Sequence, residues 1–243
     1  MSQSLKRSKL YEQDDHWIPL SDLMTGLMMM FLLVAIMYMV KVEADAKLIR
    51  EASERTKKIA LLYQNTKSEL YEDLQKEFAA DLPKWDAEVL PGPVIRFKSP
   101  EILFDVGKAN LKQKFKDILE DFFPRYVAIL TSKKYKDSIE EVRVEGHTSS
   151  LWQSSPSYEY SYFQNLALSQ DRTRSTLQYV MTLPAVNQEV PWLLRRVTAN
   201  GLSYSHLLFG PNGKEDTVRS QRVEFRVKTD AEAKLEKILE TIK

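Results

Sequence analysis

A single carboxylate, Asp22, stands at the head of an apolar run that continues to Val40 without another charged residue. As a helix, the stretch from Leu23 to Val40 is about 27 Å long, close to the roughly 30 Å hydrocarbon core of a bilayer. An acid placed in that core costs about 2.5–3.5 kcal/mol, and such acids face a partner or an ion path. We therefore predict that Asp22 is an ion-translocating residue, with Thr25 beside it on the same helix face.

A structural interpretation of Asp22 is also open. If the helix begins near Ser21, then Ser21 or Asp22 would be its N-cap and would accept hydrogen bonds from exposed backbone N–H groups. Ion transport instead requires the helix to begin nearer Trp17, so that Asp22 lies inside it. Gly26, on the same face, would let a neighbouring helix approach closely.

The composition excludes several classes of function. Lys and Arg together number 35 and Asp and Glu 34, so there is no charge excess of the kind that favours nucleic-acid binding. The chain has no cysteine, which excludes disulfides, thiolate nucleophiles and Cys-ligated metals. His16, His147 and His206 lack the spacing of a metal site, and no nucleophile–base set is present. We predict no enzyme, no bound metal and no cofactor.

The apolar run predicts one transmembrane helix over residues 17–42. It is longer than the roughly 7–15 residue core of a signal peptide, and charged residues separate it from the A-x-A sequence at 44–46, which disfavours cleavage. The basic residues at 6–9 favour a cytoplasmic N-terminus. Residues 1–16 would then be a cytoplasmic tail, and the chain after the helix would be outside.

The remaining sequence predicts a helical linker and one domain. Residues 43–82 place apolar side chains at spacings of three, four and seven, which predicts a helix ended by Pro83. Residues 83–243 alternate strand and helix patterns, which predicts an α+β fold, an α/β sandwich with helices over one sheet face. The predicted strands lie within 89–97 and over 139–145, 195–200 and 221–228; the helices cover 111–130, kinked at Pro124, then 165–181 and 231–242; residues 146–164 are a long aromatic loop.

Three patterns in this domain follow one another in order. They are Ile102-Leu103-Phe104-Asp105-x-Gly107, Val142-Arg143-Val144-Glu145-Gly146-His147-Thr148 and Asn165-x-x-Leu168-Ser169-x-x-Arg172. Together they resemble the OmpA-like peptidoglycan-binding domain. The resemblance implies that the domain binds peptidoglycan through a set of five residues: Thr148, Ser149, Asn165, Leu168 and Arg172.

The sequence departs from that family at one position. In the family an Asp after Gly-His-Thr and the helix Arg clamp a diaminopimelate group, because an acid pairs with an ammonium and a guanidinium with a carboxylate. Here Ser149 stands where the family has Asp, so Glu159 or Asp171 would have to replace it. The aromatic residues at 152–163 either stack on sugar or hold the long loop or a dimer interface. The alternative role of Arg172 is a structural salt bridge.

Three other polar residues of the domain are interpreted as structural. His147 ends a predicted strand, where its hydrogen bonds would fix the following loop. Arg222 and Glu224 alternate with apolar residues in the last strand, so we expect their side chains to point outward from the sheet.

The apolar helix resembles the ion-conducting helix of MotB-type stator subunits, in which an aspartate followed by Leu/Phe-Met-Thr opens an apolar helix. Ser21-Asp22-Leu23-Met24-Thr25-Gly26 is more similar to the ZorB family of the Zorya anti-phage defence system than to flagellar MotB. The resemblance implies a single-pass inner-membrane protein with a periplasmic, wall-anchored domain.

The same resemblance implies partners. It implies a homodimer of this chain inside a MotA/ZorA-like multi-span subunit, which would be a pentamer around the dimer, and translocation of H+ or Na+. A flagellar stator subunit and a passive tether between membrane and cell wall are the alternatives. In a passive tether, Asp22 would be only a helix cap.

Overall fold

The computed structural model describes residues 17–98, 100–152 and 157–230. These residues belong to two compact units, one ending at Lys57 and the other beginning at Lys58. The predicted cytoplasmic tail at 1–16 and the predicted helix at 231–242 lie outside the described residues.

Helix α1 (Trp17–Phe78) carries the apolar run in the first unit. This part of the helix is long and apolar enough to cross a membrane, and none of its most apolar window is buried within the chain. Its exposed face includes Leu23, Met24 and Met28. A helix that is apolar on all sides needs lipid or other helices around it.

In the second unit, the end of α1 is part of the domain. Leu70, Leu74 and Phe78 are 0% exposed and belong to its hydrophobic core. Arg125 donates a hydrogen bond of 2.8 Å to the carboxylate of Glu77. The helix therefore ends at Phe78, earlier than predicted. Pro83 lies instead in the first turn of the next helix, α2 (Leu82–Trp85), where its missing N–H costs nothing.

The domain contains one five-stranded sheet. Its strands are β1 (Ala87–Leu90), β2 (Val94–Phe97), β3 (Ile139–His147), β4 (Val197–Gly201) and β5 (Arg222–Thr229). The spatial order is β1-β2-β5-β3-β4, with β3 and β4 parallel and the other neighbours antiparallel. The helices are α3 (Pro100–Leu103), α4 (Gln113–Leu130), α5 (Tyr158–Met181), α6 (Val190–Arg196) and α7 (Thr217–Ser220). This mixture of helices and sheet confirms the predicted α+β class.

The core lies between α4 and one face of the sheet. Phe122 of α4 and Phe225 of β5 are 0% exposed, and their ring centroids are 5.1 Å apart in a T-shaped contact. Pro124 is an internal residue of α4, which continues to Leu130. The predicted alternation of Val223, Phe225 and Val227 is confirmed, because all three are buried.

The predicted aromatic loop at 146–164 is wrong. Strand β3 extends to His147, and α5 begins at Tyr158, about two turns before the predicted start. The physical reason is the N-cap: the hydroxyl of Ser157 accepts a hydrogen bond of 3.2 Å from the backbone N–H of Tyr160. Tyr158, Tyr160, Tyr162 and Phe163 are therefore helix residues.

Two glycines let α5 lie directly on the sheet. A Cβ at Gly146 would lie 2.7 Å from a methyl carbon of Thr173 and 2.9 Å from the carbonyl oxygen of Ser169. A Cβ at Gly201 would lie 2.3 Å from the backbone nitrogen of Gln170. Because only a residue without Cβ fits at these contacts, the two glycines fix the distance of α5 from β3 and β4.

Gly146→Ala is expected to destabilise the domain by about 1–3 kcal/mol, because the added methyl overlaps the backbone of α5. Chemical denaturation of the full chain in detergent measures this loss. The matched control is Gly210→Ala, whose added Cβ meets only the flexible side chain of Asn212 at 3.2 Å. Equal stability of the two variants would contradict the close contact.

Candidate functional site

Asp22 lies inside α1, not at its end. The helix already includes Trp17, so neither Ser21 nor Asp22 is its N-cap. The Thr25 hydroxyl donates a hydrogen bond of 2.7 Å to the carbonyl oxygen of Ser21, and among the residues of this segment that the structure describes, none is hydrogen-bonded to the Asp22 carboxylate. A Cβ at Gly26 would have no atom within 4 Å, so this face is open to a neighbouring helix.

Arg172 is a buried cation held by backbone carbonyls. It is 6% exposed; its Nε donates to the carbonyl oxygen of Lys108 at 2.9 Å, and Nη2 donates to that of Asp105 at 3.3 Å. The guanidinium carbon lies 4.8 Å from the centre of the Phe104 ring. Within the described residues no carboxylate lies within salt-bridge distance, so the structure does not support the salt-bridge alternative.

Burial lowers the pKa of Arg172 to about 10, so its side chain remains a cation at neutral pH. A buried guanidinium bonded only to neutral carbonyls has charge to offer an incoming carboxylate. The cavity between Arg172, His147 and Phe104 is only about 10 Å³. A ligand carboxylate would therefore replace the long bond to the Asp105 carbonyl or bind where Arg172 reaches the surface.

The loop after β3 contains the predicted Thr148 and Ser149, which are 2% and 5% exposed. The backbone N–H of Thr148 donates to the carbonyl oxygen of Ser203 at 2.9 Å, while its hydroxyl has no partner among the described residues. Glu215 accepts a hydrogen bond of 2.9 Å from the backbone N–H of Ser150 and another from its hydroxyl. Glu215 is thus an acid next to the position where the family Asp is missing.

Sequence reasoning missed Glu215 because it is far away along the chain. The turn signal Pro211-Asn212-Gly213 indicated a reversal just before it, but no local pattern placed that turn beside residue 150.

Asn165 joins this loop through Ser161. It is 3% exposed; its Nδ2 lies 3.5 Å from the Ser161 hydroxyl oxygen, and that hydroxyl donates to the carbonyl oxygen of Ser150 at 3.0 Å. Leu168 is half-buried on the same helix, between Asn165 and Arg172. The five predicted residues therefore lie on two elements, the end of β3 and α5, that the glycine contacts hold together.

The two acids considered as replacements for the family Asp have other partners. Glu159 is exposed in the first turn of α5, where hydrogen bonds from its own backbone N–H and from Ser157 lower the pKa of its carboxyl. Asp171 pairs with Arg174 at 2.8 Å on the solvent side of α5. Neither is bonded to Arg172 or Ser149 in the described structure.

Arg222 and Glu224 point away from the hydrophobic core, as the alternation predicts, but both are buried. Glu224 is 1% exposed and accepts hydrogen bonds from Nε of Arg96 at 2.8 Å and from Nε of Arg222 at 2.7 Å. They lie on the sheet face away from the hydrophobic core, where Glu224 is directly opposite Arg96 on one side and Glu145 on the other. Alternation along β5 could not predict this burial, because Arg96 comes from another strand, β2.

Glu145, His147 and Glu224 lie close enough together to bind a metal ion. The two carboxylates, however, already accept hydrogen bonds from an arginine. Nε2 of His147 lies 3.9 Å from Oε2 of Glu145 and 3.8 Å from Oε2 of Glu224. Those two oxygens each accept a hydrogen bond of 2.8 Å from Arg226. The guanidinium thus stands where a bound cation would face the two carboxylates.

The same network lowers the pKa of both His147 and Glu224. Burial, with Arg222 nearby, lowers the pKa of His147 to about 3. Burial opposes ionisation of Glu224, but His147, which is protonated at that low pH, together with Arg222 and Arg96 lowers its pKa to about 2. At neutral pH the histidine is neutral and the glutamate charged, so neither group is poised for proton transfer.

His147 is expected to make stability pH-dependent. Its pKa is about 3 when folded and about 6.5 when unfolded, so its contribution is complete above pH 6.5 and is lost as the pH falls toward 3. The loss is about 2 kcal/mol by pH 5. Denaturation at pH 7.5, 6 and 5 should show a smaller decrease for His147→Asn. The same slope in wild type and His147→Asn would contradict the assignment.

Comparison with known proteins gives a relative that matches along most of its length. Zorya protein ZorB of Escherichia coli strain Crooks is 43% identical over 230 residues, which cover 94% of this chain and 94% of the relative. No protein-family model matches the sequence.

Solved structures similar to this chain have a lower sequence identity to it. A MotB-like protein from Desulfovibrio vulgaris is 20% identical, covering 68% of this chain and 96% of that one, with a TM-score of 0.48. The cell wall anchor of the T6SS from Pseudomonas aeruginosa is 20% identical over 64% and 96%, with a TM-score of 0.44. The periplasmic domain of Helicobacter pylori MotB is 14% identical over 64% and 89%, with a TM-score of 0.41.

Proposed function

The chain belongs to the ZorB family, and from that premise we propose that it is the peptidoglycan-anchored subunit of an ion-driven inner-membrane motor that acts in anti-phage defence. It is a non-enzymatic subunit. The observation that carries the proposal is Asp22, the one acid in the segment of α1 that is long and apolar enough to cross a membrane. The family relationship favours the defence system over the flagellar alternative.

Asp22 carries the ion. A carboxylate can bind a proton, lose its charge and release the proton on the other side, and each elementary charge that crosses supplies about 2.3 kcal/mol per 100 mV. The change of charge alters how Asp22 contacts the surrounding helices, which would drive a step of those helices. Thr25, whose hydroxyl donates to the carbonyl oxygen of Ser21, lies on the same helix face as Asp22. The carried ion is H+, with Na+ as the alternative.

One membrane-spanning helix cannot form an ion path by itself, so a partner subunit is required. A single helix encloses no path, and Leu23, Met24 and Gly26, which follow Asp22 in the helix, offer no polar side chain. A multi-span MotA/ZorA-like subunit, a pentamer around a dimer of this chain, would supply the second wall of the path. The N-terminus is cytoplasmic, and the domain beginning near residue 58 is periplasmic.

The domain anchors the motor to peptidoglycan through Arg172. Its guanidinium, held at the end of β3 by the carbonyls of Asp105 and Lys108, would bind a carboxylate of the wall peptide. Thr148 has a buried hydroxyl without a partner in the described structure, and Asn165 lines the same region. Anchoring would let the partner subunit rotate against a fixed point.

Arg172→Ala is expected to weaken sedimentation with purified wall sacculi about 10–100-fold, because a charge-assisted hydrogen bond contributes about 1.5–3 kcal/mol. Arg172→Lys keeps the charge but loses the planar fork and should also bind less. The control is Arg195→Ala, which removes an exposed arginine of α6. Unchanged sedimentation of a folded Arg172 variant would contradict wall binding by this residue.

Asp22→Asn is expected to abolish protection against phage at unchanged protein level, because an amide cannot bind and release a proton. Plating efficiency in the host with the neighbouring genes intact measures protection. The matched control is Asp45→Asn, the same change at an exposed acid beyond the apolar run. If Asp22→Asn protected as well as wild type, the chain would be a passive tether or a non-defence stator, and a swimming assay would choose between these.

A further inference from the structure

Glu215 is a half-buried acid whose hydrogen-bond donors are neutral. Its carboxylate accepts one bond of 2.9 Å from the backbone N–H of Ser150 and another from the Ser150 hydroxyl. Among the residues that the structure describes, no lysine, arginine or histidine side chain lies within salt-bridge distance of it. A partly buried charge that is bonded only to neutral groups has charge to offer a ligand of opposite sign. Glu215 is therefore the counterpart of Arg172, which is a buried cation without an acid.

An exposed aromatic ring lies beside this acid. Phe209 and Glu215 are directly opposite each other in a short antiparallel hairpin, next to a hydrogen bond of 2.8 Å from the backbone N–H of Asp216 to the carbonyl oxygen of Leu208. Directly opposite residues point to the same face, with Cβ atoms about 4.5–5.5 Å apart. Phe209 is 60% exposed, so its ring is accessible on the face that carries the Glu215 carboxylate.

We propose that Glu215 and Phe209 bind a primary ammonium group of the wall peptide. A carboxylate pairs with an ammonium through charge-assisted hydrogen bonds. The face of an aromatic ring attracts a cation that lies within about 6 Å of the ring centre. A sugar hydroxyl could also donate to Glu215, but it is neutral and would leave the charge of the acid uncompensated. An ammonium satisfies the acid and the ring together.

The ammonium site adjoins the region of Arg172. Ser150, which is bonded to Glu215, follows His147 by three residues, so the Cα atoms of Ser150 and His147 are at most about 11 Å apart. His147 and Arg172 line the same small cavity. The Ser161 hydroxyl of α5 donates to the carbonyl oxygen of Ser150 at 3.0 Å, which holds the loop against the helix that carries Arg172. One wall peptide with a carboxylate and a free amine can therefore contact both sites.

The inference rests on the wall binding of the proposed function and adds the group that gives it specificity. Glu215 and Phe209 come from a hairpin that lies outside the three sequence patterns at 102–107, 142–148 and 165–172. The domain is then expected to prefer a wall whose peptides carry free amines over the same wall with those amines neutralised.

The test is sedimentation of the full chain in detergent with two preparations of purified sacculi, one untreated and one N-acetylated, in which each amine has become a neutral amide. Wild type is expected to bind the acetylated sacculi about tenfold more weakly, the effect of losing one charge-assisted hydrogen bond. Glu215→Gln keeps an oxygen acceptor for Ser150 but loses the charge. It should bind untreated sacculi about tenfold more weakly than wild type and should not distinguish the two preparations.

Two further variants complete the test. Phe209→Leu keeps an apolar side chain but loses the aromatic face, so it should bind untreated sacculi about threefold more weakly. The matched control is Glu72→Gln, the same change at an exposed glutamate of α1, and it should keep the wild-type preference. Equal binding of wild type to the two preparations, or an undiminished preference in Glu215→Gln, would overturn the proposal.

Arg172→Ala separates failure of this site from failure of wall anchoring. If Arg172→Ala weakens binding to both preparations while acetylation and Glu215→Gln have no effect, the ammonium site is refuted and anchoring through Arg172 remains. If the preference depends on Glu215 but Arg172→Ala binds like wild type, the ammonium site is supported and the role of Arg172 is refuted. Failure of wild type to sediment with either preparation would refute both.

Discussion

A carboxylate in a helix segment that has no other charge must be compensated by something outside that segment. Insertion of an acid into hydrocarbon costs about 2.5–3.5 kcal/mol, and within the described residues the side chain of Asp22 has no hydrogen-bond partner. Thr25, the nearest polar side chain on its face, is bonded to the carbonyl of Ser21. We propose that the compensation comes from neighbouring chains and from the carried ion, so a single-span protein with this residue would depend on a partner.

Two buried charged side chains of the domain, Glu224 and Arg172, have hydrogen-bond partners that differ in kind. On the polar face of the sheet, Glu224 is 1% exposed and its carboxylate is bonded to arginines of β2 and β5, so the charge is satisfied internally. Arg172 is almost as buried, yet its described partners are carbonyl groups. A buried pair that is complete tends to hold structure, whereas a buried charge bonded only to neutral groups still has charge to offer a ligand. This contrast favours Arg172 over the larger Glu224 network as the binding residue.

Much of the fold was predictable because its signals are local. Alternating Val223, Phe225 and Val227 indicated a strand with one buried face, and the apolar run indicated the long helix. The predicted start of α5 was too late because its first aromatic residues resemble a loop. The N-cap at Ser157 is one residue and is a weaker sequence signal than the run of aromatic residues that follows it. Burial of Glu224 and the contact of Glu215 with Ser150 were not predictable, because the bonds from Arg96 to Glu224 and from Ser150 to Glu215 join residues that are distant in sequence.

The central claim is that Asp22 carries an ion across the membrane, and ion flux tests it most directly. Vesicles containing the chain with its multi-span partner would be loaded with a pH-sensitive dye or, in parallel, with a Na+-sensitive dye, and an imposed membrane potential would drive ions inward. The account predicts potential-dependent flux in wild type and none above background in Asp22→Asn, with protein levels equal. Equal flux in the two proteins, for both H+ and Na+, would contradict it.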